Sequence, residues 1–216
     1  MPQNELVHAV SPTVDDLAAR ARALADTRGA RVLVGIAGAP GAGKSTLAAA
    51  LVALLGDRAA LVPMDGFHLS QHVLELLGRA ARKGAPDTFD AAGLAALLHR
   101  IRTAEGPVYA PTFDRSLEQP IAADTLVPAS ADIVVVEGNY LLLGDGEWAS
   151  VREMLDEAWF IRIPTSTRLA RLVDRHRRYG RTRAEAEAWV DTVDEPNARV
   201  IETSAAGADL VVELGD

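Results

Sequence analysis

The chain has 216 residues, of which 49% are hydrophobic, and it carries a formal net charge of −8 and no cysteine. A chain of this length can bury roughly 70% of its unfolded surface, which is enough for one large domain or two small ones. The lack of cysteine excludes disulfide scaffolds and thiolate metal sites, and the acidic balance argues against a nucleic-acid partner, because such binding depends on neutralising phosphates.

The sequence has no feature of a leader peptide or of a membrane-spanning helix. Met1–Glu5 lacks the basic and apolar segments of a leader peptide, and the sequence contains no run of about 18 apolar residues. We therefore expect a soluble cytoplasmic protein with no membrane partner.

Residues 11–28 have the spacing of an amphipathic helix, with Ser11 as a candidate N-cap and Pro12 in the first turn.

A glycine-rich segment between an apolar strand and a helix is the most informative part of the sequence. The predicted strand 31–37 leads into Gly38-Ala-Pro-Gly-Ala-Gly-Lys-Ser45, and a predicted helix follows as far as Leu55. Residues without a Cβ atom let backbone N–H groups turn toward phosphate oxygens, and the helix N-terminus adds partial positive charge. This pattern predicts a phosphate-binding loop in which Lys44 reaches the β- and γ-phosphates and Ser45 ligates Mg²⁺. The alternative is a glycine-rich turn with an incidental lysine, although the chain has only two lysines against twenty arginines.

The next predicted strand, residues 59–64, stops at Asp65. Strand, helix and strand in this order form a βαβ unit, so the sheet is expected to be parallel, with ligands at the carboxyl ends of its strands. Asp65 would then lie beside the loop, where a carboxylate can accept a proton from an attacking hydroxyl. The alternative is a turn-forming Asp before Gly. We interpret His68 and His72 as residues one turn apart on the following helix, with His68 near substrate and no third metal ligand.

The middle of the chain is less regular. Residues 69–79 have a helical pattern, residues 79–90 are predicted to form a surface loop, and Asp90 has the position of an N-cap for the helix that follows. Residues 105–128 contain four of the eleven prolines and little periodicity. Such a segment is either a binding loop or disordered, and its aromatic and charged residues favour binding.

The apolar run 132–137 lacks alternation, which is typical of a strand covered on both faces. It ends in Glu137 and resembles a Walker B strand, with Glu in place of the more usual Asp, so we interpret Glu137 as the group that holds Mg²⁺ or its water. An acid at a strand end is common, however, and the phosphate-binding loop is what favours this interpretation.

The C-terminal third contains a basic island. A short helix (148–156) and a strand (158–164) precede a helix that places Arg168, Arg171, Arg175 and Arg178 on one face. Residues 162–183 hold eight arginines and one acid, a charge of +7 that leaves −15 elsewhere. A run of arginines is usually a solvated helix face. Here the like charges repel one another unless an anion binds, which favours a lid, about 164–183, that closes over nucleotide phosphates. Residues 182–204 are predicted to be helical, with a break near Pro196, and residues 208–213 form a last strand.

These motifs resemble the phosphoribulokinase, uridine kinase and pantothenate kinase family across about residues 30–214. The similarity rests on the phosphate-binding loop, on Asp65-Gly-Phe-His68, on a strand ending in Glu137-Gly and on the Arg-rich helix. Residues 82–90 look like the pantothenate kinase segment, and Asn197 matches a region near the adenine in that branch. Residues 136–143, preceded by 109–115, most resemble a bacterial nucleoside/nucleotide kinase-like subgroup, loosely called fructokinase-like.

The resemblance implies an α/β fold of the P-loop NTPase type, with a parallel sheet, helices on both faces and an Arg-rich lid, in one domain spanning residues 1–216. It implies ATP- and Mg²⁺-dependent phosphorylation of a hydroxyl group on a nucleoside, a sugar or a vitamin-like acceptor, and it allows a homodimer. Two alternatives remain open, a nucleotide-hydrolysing switch and a non-catalytic nucleotide-binding regulator. The expected catalytic residues are Asp65, Lys44, Arg171 and Arg175, and the expected metal ligands are Ser45 and Glu137. The expected nucleotide site comprises Gly38, Ala39, Pro40, Gly41, Ala42, Gly43, Lys44, Ser45, Thr46 and Asn197. The expected acceptor site comprises Asp65, His68, Arg82, Lys83, Asp87, Tyr109, Arg115 and Glu137.

Overall fold

The computed structural model describes residues 9–215, so the sequence features of Met1–Glu5 lie outside the described residues. The strands are β1 (Ala9–Val10), β2 (Val32–Gly38), β3 (Ala59–Pro63), β4 (Val108–Asp114), β5 (Gln119–Val127), β6 (Ile133–Glu137), β7 (Glu157–Arg162) and β8 (Leu210–Glu213). The helices are α1 (Val14–Arg28), α2 (Lys44–Leu55), α3 (Gln71–Leu76), α4 (Ala91–Thr103), α5 (Glu147–Met154), α6 (Thr165–Arg178), α7 (Arg183–Trp189) and α8 (Glu195–Thr203). No helix among these residues is both long and apolar enough to cross a membrane.

The main sheet is parallel and has helices on both faces, which confirms the predicted fold class. Its six strands run in the order β1-β8-β7-β2-β6-β3, and every neighbouring pair is parallel. One face packs against α1 and α2 through residues such as Leu17 and Leu51. The other face packs against α4, α5 and α8 through residues such as Leu98, Val151 and Ile201. The central strands β2 and β6 are fully buried, as their unbroken apolar runs predict.

The register of the central strands brings three functional segments to one edge. Glu137 on β6 is aligned with Ile36 on β2 and with Pro63 on β3. The phosphate-binding loop begins just beyond Ile36, and Asp65 lies two residues beyond Pro63. Because parallel strands end on the same side of a sheet, all three segments meet there, as the βαβ pattern predicts.

The start of α1 was predicted two residues too early. Thr13, not Ser11, is the N-cap, because its side chain accepts a hydrogen bond from the Asp16 backbone N–H while the Asp16 carboxylate accepts one from the Thr13 backbone. This reciprocal capping box satisfies two backbone donors, whereas Ser11 has no acidic residue three positions later.

The segment predicted as a long binding loop is largely a β-hairpin. Strands β4 and β5 pair antiparallel, with a register shift between Ala110 and Thr112. The turn between them is held by Asp114, whose Oδ1 accepts hydrogen bonds from the backbone N–H groups of Ser116 at 2.7 Å and Leu117 at 3.0 Å. The register shift and the prolines hide the two-residue period of these strands in the sequence.

The predicted break near Pro196 is instead a change in helical hydrogen bonding. Residues Val190–Asp194 form a π-helical turn between α7 and α8, and the Glu195 N–H bonds to the Val190 carbonyl, five residues back. Pro196 follows in the first turn of α8. The altered register accommodates a residue that has no N–H to donate, so the chain stays helical.

Candidate active site

The phosphate-binding loop, residues 38–43, has backbone geometry that requires glycine at two points. Gly38 has a φ of +150°, and a Cβ there would lie 2.6 Å from the Ile161 carbonyl oxygen on β7. Gly41 has a φ of +82°, and a Cβ there would lie 2.9 Å from Leu172 Cγ and 3.0 Å from the Arg168 carbonyl oxygen on α6. The loop is therefore wedged between the neighbouring strand and the Arg-rich helix, which fixes its backbone for anion binding.

Lys44 is buried at the first turn of α2, and its Nζ donates a hydrogen bond to the Ala39 carbonyl oxygen at 3.0 Å. Burial lowers the pKa of Lys44, while the nearby carboxylates of Glu137 and Asp65 oppose that change. Burial raises the pKa of Glu137, and the charge of Lys44 opposes that change. Lys44, Glu137 and Asp65 thus form one electrostatic cluster, in which Lys44 favours the charged form of Glu137 and Asp65 disfavours it.

Asp65 lies in a 3₁₀ turn (Met64–Phe67) directly after β3. Its Oδ2 accepts a hydrogen bond from Arg115 Nη2 on the hairpin turn at 2.8 Å. Both side chains are partly exposed, at 29% for Asp65 and 43% for Arg115, so the carboxylate is open to the cavity. A carboxylate in this position can orient a hydroxyl group next to the phosphate-binding loop.

His68 was expected on a helix face, but α3 begins only at Gln71. His68 is instead in an extended bridge to Phe89, and its ring packs against Phe89 at 4.0 Å and Phe113 at 4.6 Å. Its Nδ1 is 2.8 Å from the Asp65 carbonyl oxygen, and burial lowers the pKa of His68. Among residues 9–215 no cluster of three or more potential metal-binding side chains is present.

The segment Arg79–Asp90, predicted as a surface loop, is partly buried and forms one wall of the cavity. Thr88 and Phe89 are buried. The Tyr140 hydroxyl donates to the Gly84 carbonyl at 2.5 Å, and Trp148 Nε1 donates to the Pro86 carbonyl at 3.2 Å. Tyr140, in the loop after β6, and Trp148 on α5 therefore hold this wall in place.

The four arginines predicted to share one face of α6 have different environments. Arg168 is buried, pairs with Glu195 and leaves its Nη1 without a hydrogen-bond partner among the described residues. Arg175 lines the cavity, where burial and the nearby charge of Arg115 lower its pKa. Arg171 is exposed, with Nη1 3.6 Å from the position that a Cβ of Gly43 would take. Arg178 is also exposed. Arg171 therefore lies beside the loop at Gly43, Arg168 packs against it at Gly41, and Arg175 lines the cavity.

One polar network in the cavity, formed by α6, α7 and the π-helical turn, was not predicted from the sequence. His176 Nδ1 is 3.0 Å from Arg181 Nη1, and His176 Nε2 is 2.7 Å from Asp194 Oδ2. Arginine can only donate, so Nδ1 accepts and Nε2 carries the proton that is donated to Asp194. Arg181 also stacks on Trp189, 3.8 Å from the ring centroid. The arginine-rich sequence and the tryptophan were the available signals, but their pairing depends on the helical corner at residues 179–182.

A cavity of about 530 Å³ joins these groups. Ten of the residues expected at the site line it, namely Pro40, Lys44, Ser45, Asp65, His68, Lys83, Arg115, Glu137, Arg175 and Asn197.

Three expected acceptor residues point elsewhere. Arg82 and Asp87 pair with each other at 2.5 Å. Tyr109 is 55% exposed because it alternates with the buried Val108 and Ala110 along β4. It borders a separate apolar groove between the hairpin and α4.

Comparison with known proteins gives relatives over most of the chain, although no family model matches it. A protein of Schizosaccharomyces pombe whose name places it with uridine kinases is 34% identical over 197 residues, which cover 85% of this chain and 83% of that protein. The pantothenate kinase of Streptomyces coelicolor is 34% identical over 119 residues, which cover 53% of this chain and 36% of that enzyme. The crystal structure of a Silicibacter protein, named as a kinase of a fructose transport system, has a TM-score of 0.86 and 37% identity, covering 93% of this chain and 99% of that one.

These relatives confirm the resemblance read from the sequence, and the solved structure confirms the fold class. The chain therefore belongs to the family of P-loop kinases that includes uridine kinase and pantothenate kinase, ATP-dependent enzymes that phosphorylate a hydroxyl group of a small molecule.

Proposed function

We propose that the protein transfers the γ-phosphoryl group of Mg²⁺-bound ATP to a hydroxyl group of a nucleoside, a sugar or a vitamin-like acceptor, with Asp65 as the catalytic base. One observation carries this proposal: a single cavity contains the phosphate-binding Lys44 and Ser45, the carboxylate of Glu137 and, beyond them, the carboxylate of Asp65. A nucleotide switch needs no carboxylate on the acceptor side of its loop.

The donor set at the end of β6 suits Mg²⁺. Ser45 and Glu137 supply a hydroxyl and a carboxylate, the hard oxygen ligands that Mg²⁺ prefers, and the remaining positions are usually filled by phosphate oxygens and water. When bound, Mg²⁺ neutralises charge on the β- and γ-phosphates.

The protein residues then have separate roles. Asp65 accepts a hydrogen bond from the acceptor hydroxyl and takes its proton as the new P–O bond forms. Arg115 occupies only one oxygen of Asp65, so the other can orient the hydroxyl. Lys44, the loop N–H groups and Arg175 stabilise negative charge on the transferred group, and Arg171 contacts the phosphates beside Gly43.

The test is ADP release by purified protein with Mg-ATP and a panel of nucleosides, ketoses, aldoses and vitamin-like alcohols. Asp65→Asn should lower kcat by about 10² to 10⁴-fold with ATP affinity little changed, because it removes only the proton acceptor. Lys44→Ala should weaken both. An Asp65→Asn enzyme with full acceptor-dependent activity would refute the base assignment, and hydrolysis independent of any acceptor would favour the switch.

We also propose that the protein acts in the cytoplasm on a small molecule, without nucleic-acid or membrane partners, and that it forms a homodimer. Its net charge of −8 supports the proposal that it has no nucleic-acid or membrane partner, because a negative protein is repelled by phosphate-rich surfaces. The homodimer is suggested only by its family. Light scattering during size-exclusion chromatography tests it directly, and a mass of one chain at working concentration would overturn it.

A further inference from the structure

Two cations face the end of the cavity that lies beyond Asp65, and both are already paired with carboxylates. Lys83 Nζ is 2.8 Å from the Glu118 carbonyl oxygen and 3.3 Å from its Oε2, and its side chain is only 16% exposed. Arg115 pairs with Asp65 at 2.8 Å. Two positive and two negative charges therefore cancel across this end of the cavity, and both pairs connect the hairpin turn to the opposite wall.

The rest of this end is uncharged. His68 packs between Phe89 and Phe113, and burial lowers its pKa, so the ring is neutral near pH 7. Gln71 and Asn139 contribute neutral amides to the lining. Aromatic faces beside amides and paired carboxylates suit a compound with apolar C–H faces and several hydroxyl groups.

The other charged groups of the cavity belong to its phosphate side or to a closed network. Arg175 lies near both Lys44 and Arg115, because its charge lowers the pKa of Lys44 and the charge of Arg115 lowers its own pKa, and it is assigned to the transferred phosphoryl group. Arg181 is held by Trp189 and by His176, which in turn bonds to Asp194. An anionic group on the acceptor would thus have to separate an existing ion pair, which costs more than binding a hydroxyl.

Building on the proposed function, we propose that the acceptor is an uncharged polyhydroxy compound, and that Glu118 determines this specificity by neutralising Lys83. A phosphate ester or carboxylate of the same compound is rejected because Lys83 is already occupied. The prediction that follows is specific: removing the Glu118 charge should create an anion site at Lys83.

The experiment measures binding at this end of the cavity without turnover. Protein saturated with Mg²⁺ and a non-hydrolysable ATP analogue, which fills the γ-phosphoryl position, is titrated calorimetrically with matched pairs of fructose and fructose 6-phosphate, and of ribose and ribose 5-phosphate. In the unaltered protein neither phosphate ester should bind more tightly than its parent sugar. In Glu118→Gln the ratio of ester to sugar affinity should rise about tenfold or more, as expected for one new charge-assisted contact.

Two controls separate local from general charge effects. Glu187→Gln makes the same change in net charge at the exposed Arg183–Glu187 pair of α7 and should leave the ratio unchanged. Lys83→Met combined with Glu118→Gln should abolish the gain. Glu118 has a side chain 63% exposed at a hairpin turn, so its substitution should not disturb folding.

Each result is decisive. An unaltered protein that prefers either ester by tenfold or more would overturn the proposal of a neutral acceptor. A ratio of ester to sugar affinity that is the same in the unaltered protein and in Glu118→Gln would overturn the role of Glu118, as would ester binding that is undetectable in both. Failure of the proposed function would appear elsewhere, as full activity of Asp65→Asn, and would leave these affinity ratios unaffected.

Discussion

Replacing Gly41 by Ala tests whether the phosphate-binding loop is wedged against α6. The φ of +82° places an L-residue in the left-handed region, at a cost of about 1–2 kcal/mol. The new methyl would lie 2.9 Å from Leu172 Cγ and 3.0 Å from the Arg168 carbonyl oxygen. Because Leu172 is fully buried and the second atom belongs to a helix backbone, neither can move freely, and overpacking adds about 1–3 kcal/mol. We expect a total loss of about 2–5 kcal/mol in the free energy of unfolding.

The assay is urea denaturation of Gly41→Ala beside a control, Gly29→Ala. Gly29 also has a positive φ, +61°, but no atom lies within 4 Å of its Cβ position, so only the conformational cost of about 1–2 kcal/mol applies. The difference between the two variants measures the packing of the loop against α6. Equal losses would refute the close approach, and Gly41→Ala should also weaken ATP binding whereas Gly29→Ala should not.

Three further predictions concern single side chains. Arg175→Ala should lower kcat by about 10² to 10³-fold, and by more than Arg171→Ala does, because Arg175 lines the cavity and Arg171 does not. Comparable kcat values for the two variants would contradict this. Burial lowers the pKa of His68 below its usual 6.5, so the unfolded chain binds more protons than the folded one, and stability is lost as pH falls below about 6.5. His68→Gln should flatten this dependence of the free energy of unfolding on pH in denaturation curves measured from pH 7 to 5. An unchanged slope would exclude His68 as its source. Arg31 donates to the carbonyl oxygens of Ile101, Pro128, Ala129 and Ala131, so Arg31→Met should cost about 2–4 kcal/mol of stability with kcat preserved, and a loss below about 1 kcal/mol would contradict this.

The part of the site that the sequence predicts is the part set by local geometry. A phosphate-binding loop is one continuous segment, and the carboxyl ends of parallel strands meet at one edge by topology alone. Lys44, Asp65 and Glu137 were therefore placed together from the sequence, and the strand register brings them to one edge. Helix ends were predictable where one residue decides them, as with the Asp90 cap of α4, which accepts a hydrogen bond from the Gly93 N–H at 2.8 Å.

The acceptor side was predicted less well because the hairpin sets it. In a strand, neighbouring side chains point to opposite faces, so alternation from the buried Val108 and Ala110 would place both Tyr109 and Phe113 on the outer face, whereas Phe113 lines the cavity. The register shift after Ala110 interrupts that alternation, and sequence composition cannot show which residues of a segment face inward. Arg82 and Lys83 illustrate the same limit, since adjacent residues point to an external ion pair and to the cavity, respectively.

The basic island shows why charge along the sequence overstates the charge available to a ligand. Of its eight arginines, four pair with carboxylates: Arg162 with Glu202, Arg168 with Glu195, Arg177 with Asp174 and Arg183 with Glu187. Arg181 bonds to His176, and Arg178 is exposed at the end of α6. Three of the four carboxylates, on α7 and α8, lie beyond the island in the sequence, so these pairs offset part of its +7 once the helices pack. Arg171 and Arg175, one helical turn apart, are directed at the phosphate-binding loop and the cavity, and Arg181 lines the cavity from its network with His176 and Trp189. Arg171 and Arg175 are assigned to the phosphates, whereas the cations of the acceptor end are paired, Lys83 with Glu118 and Arg115 with Asp65, which is the condition that the proposed acceptor specificity requires.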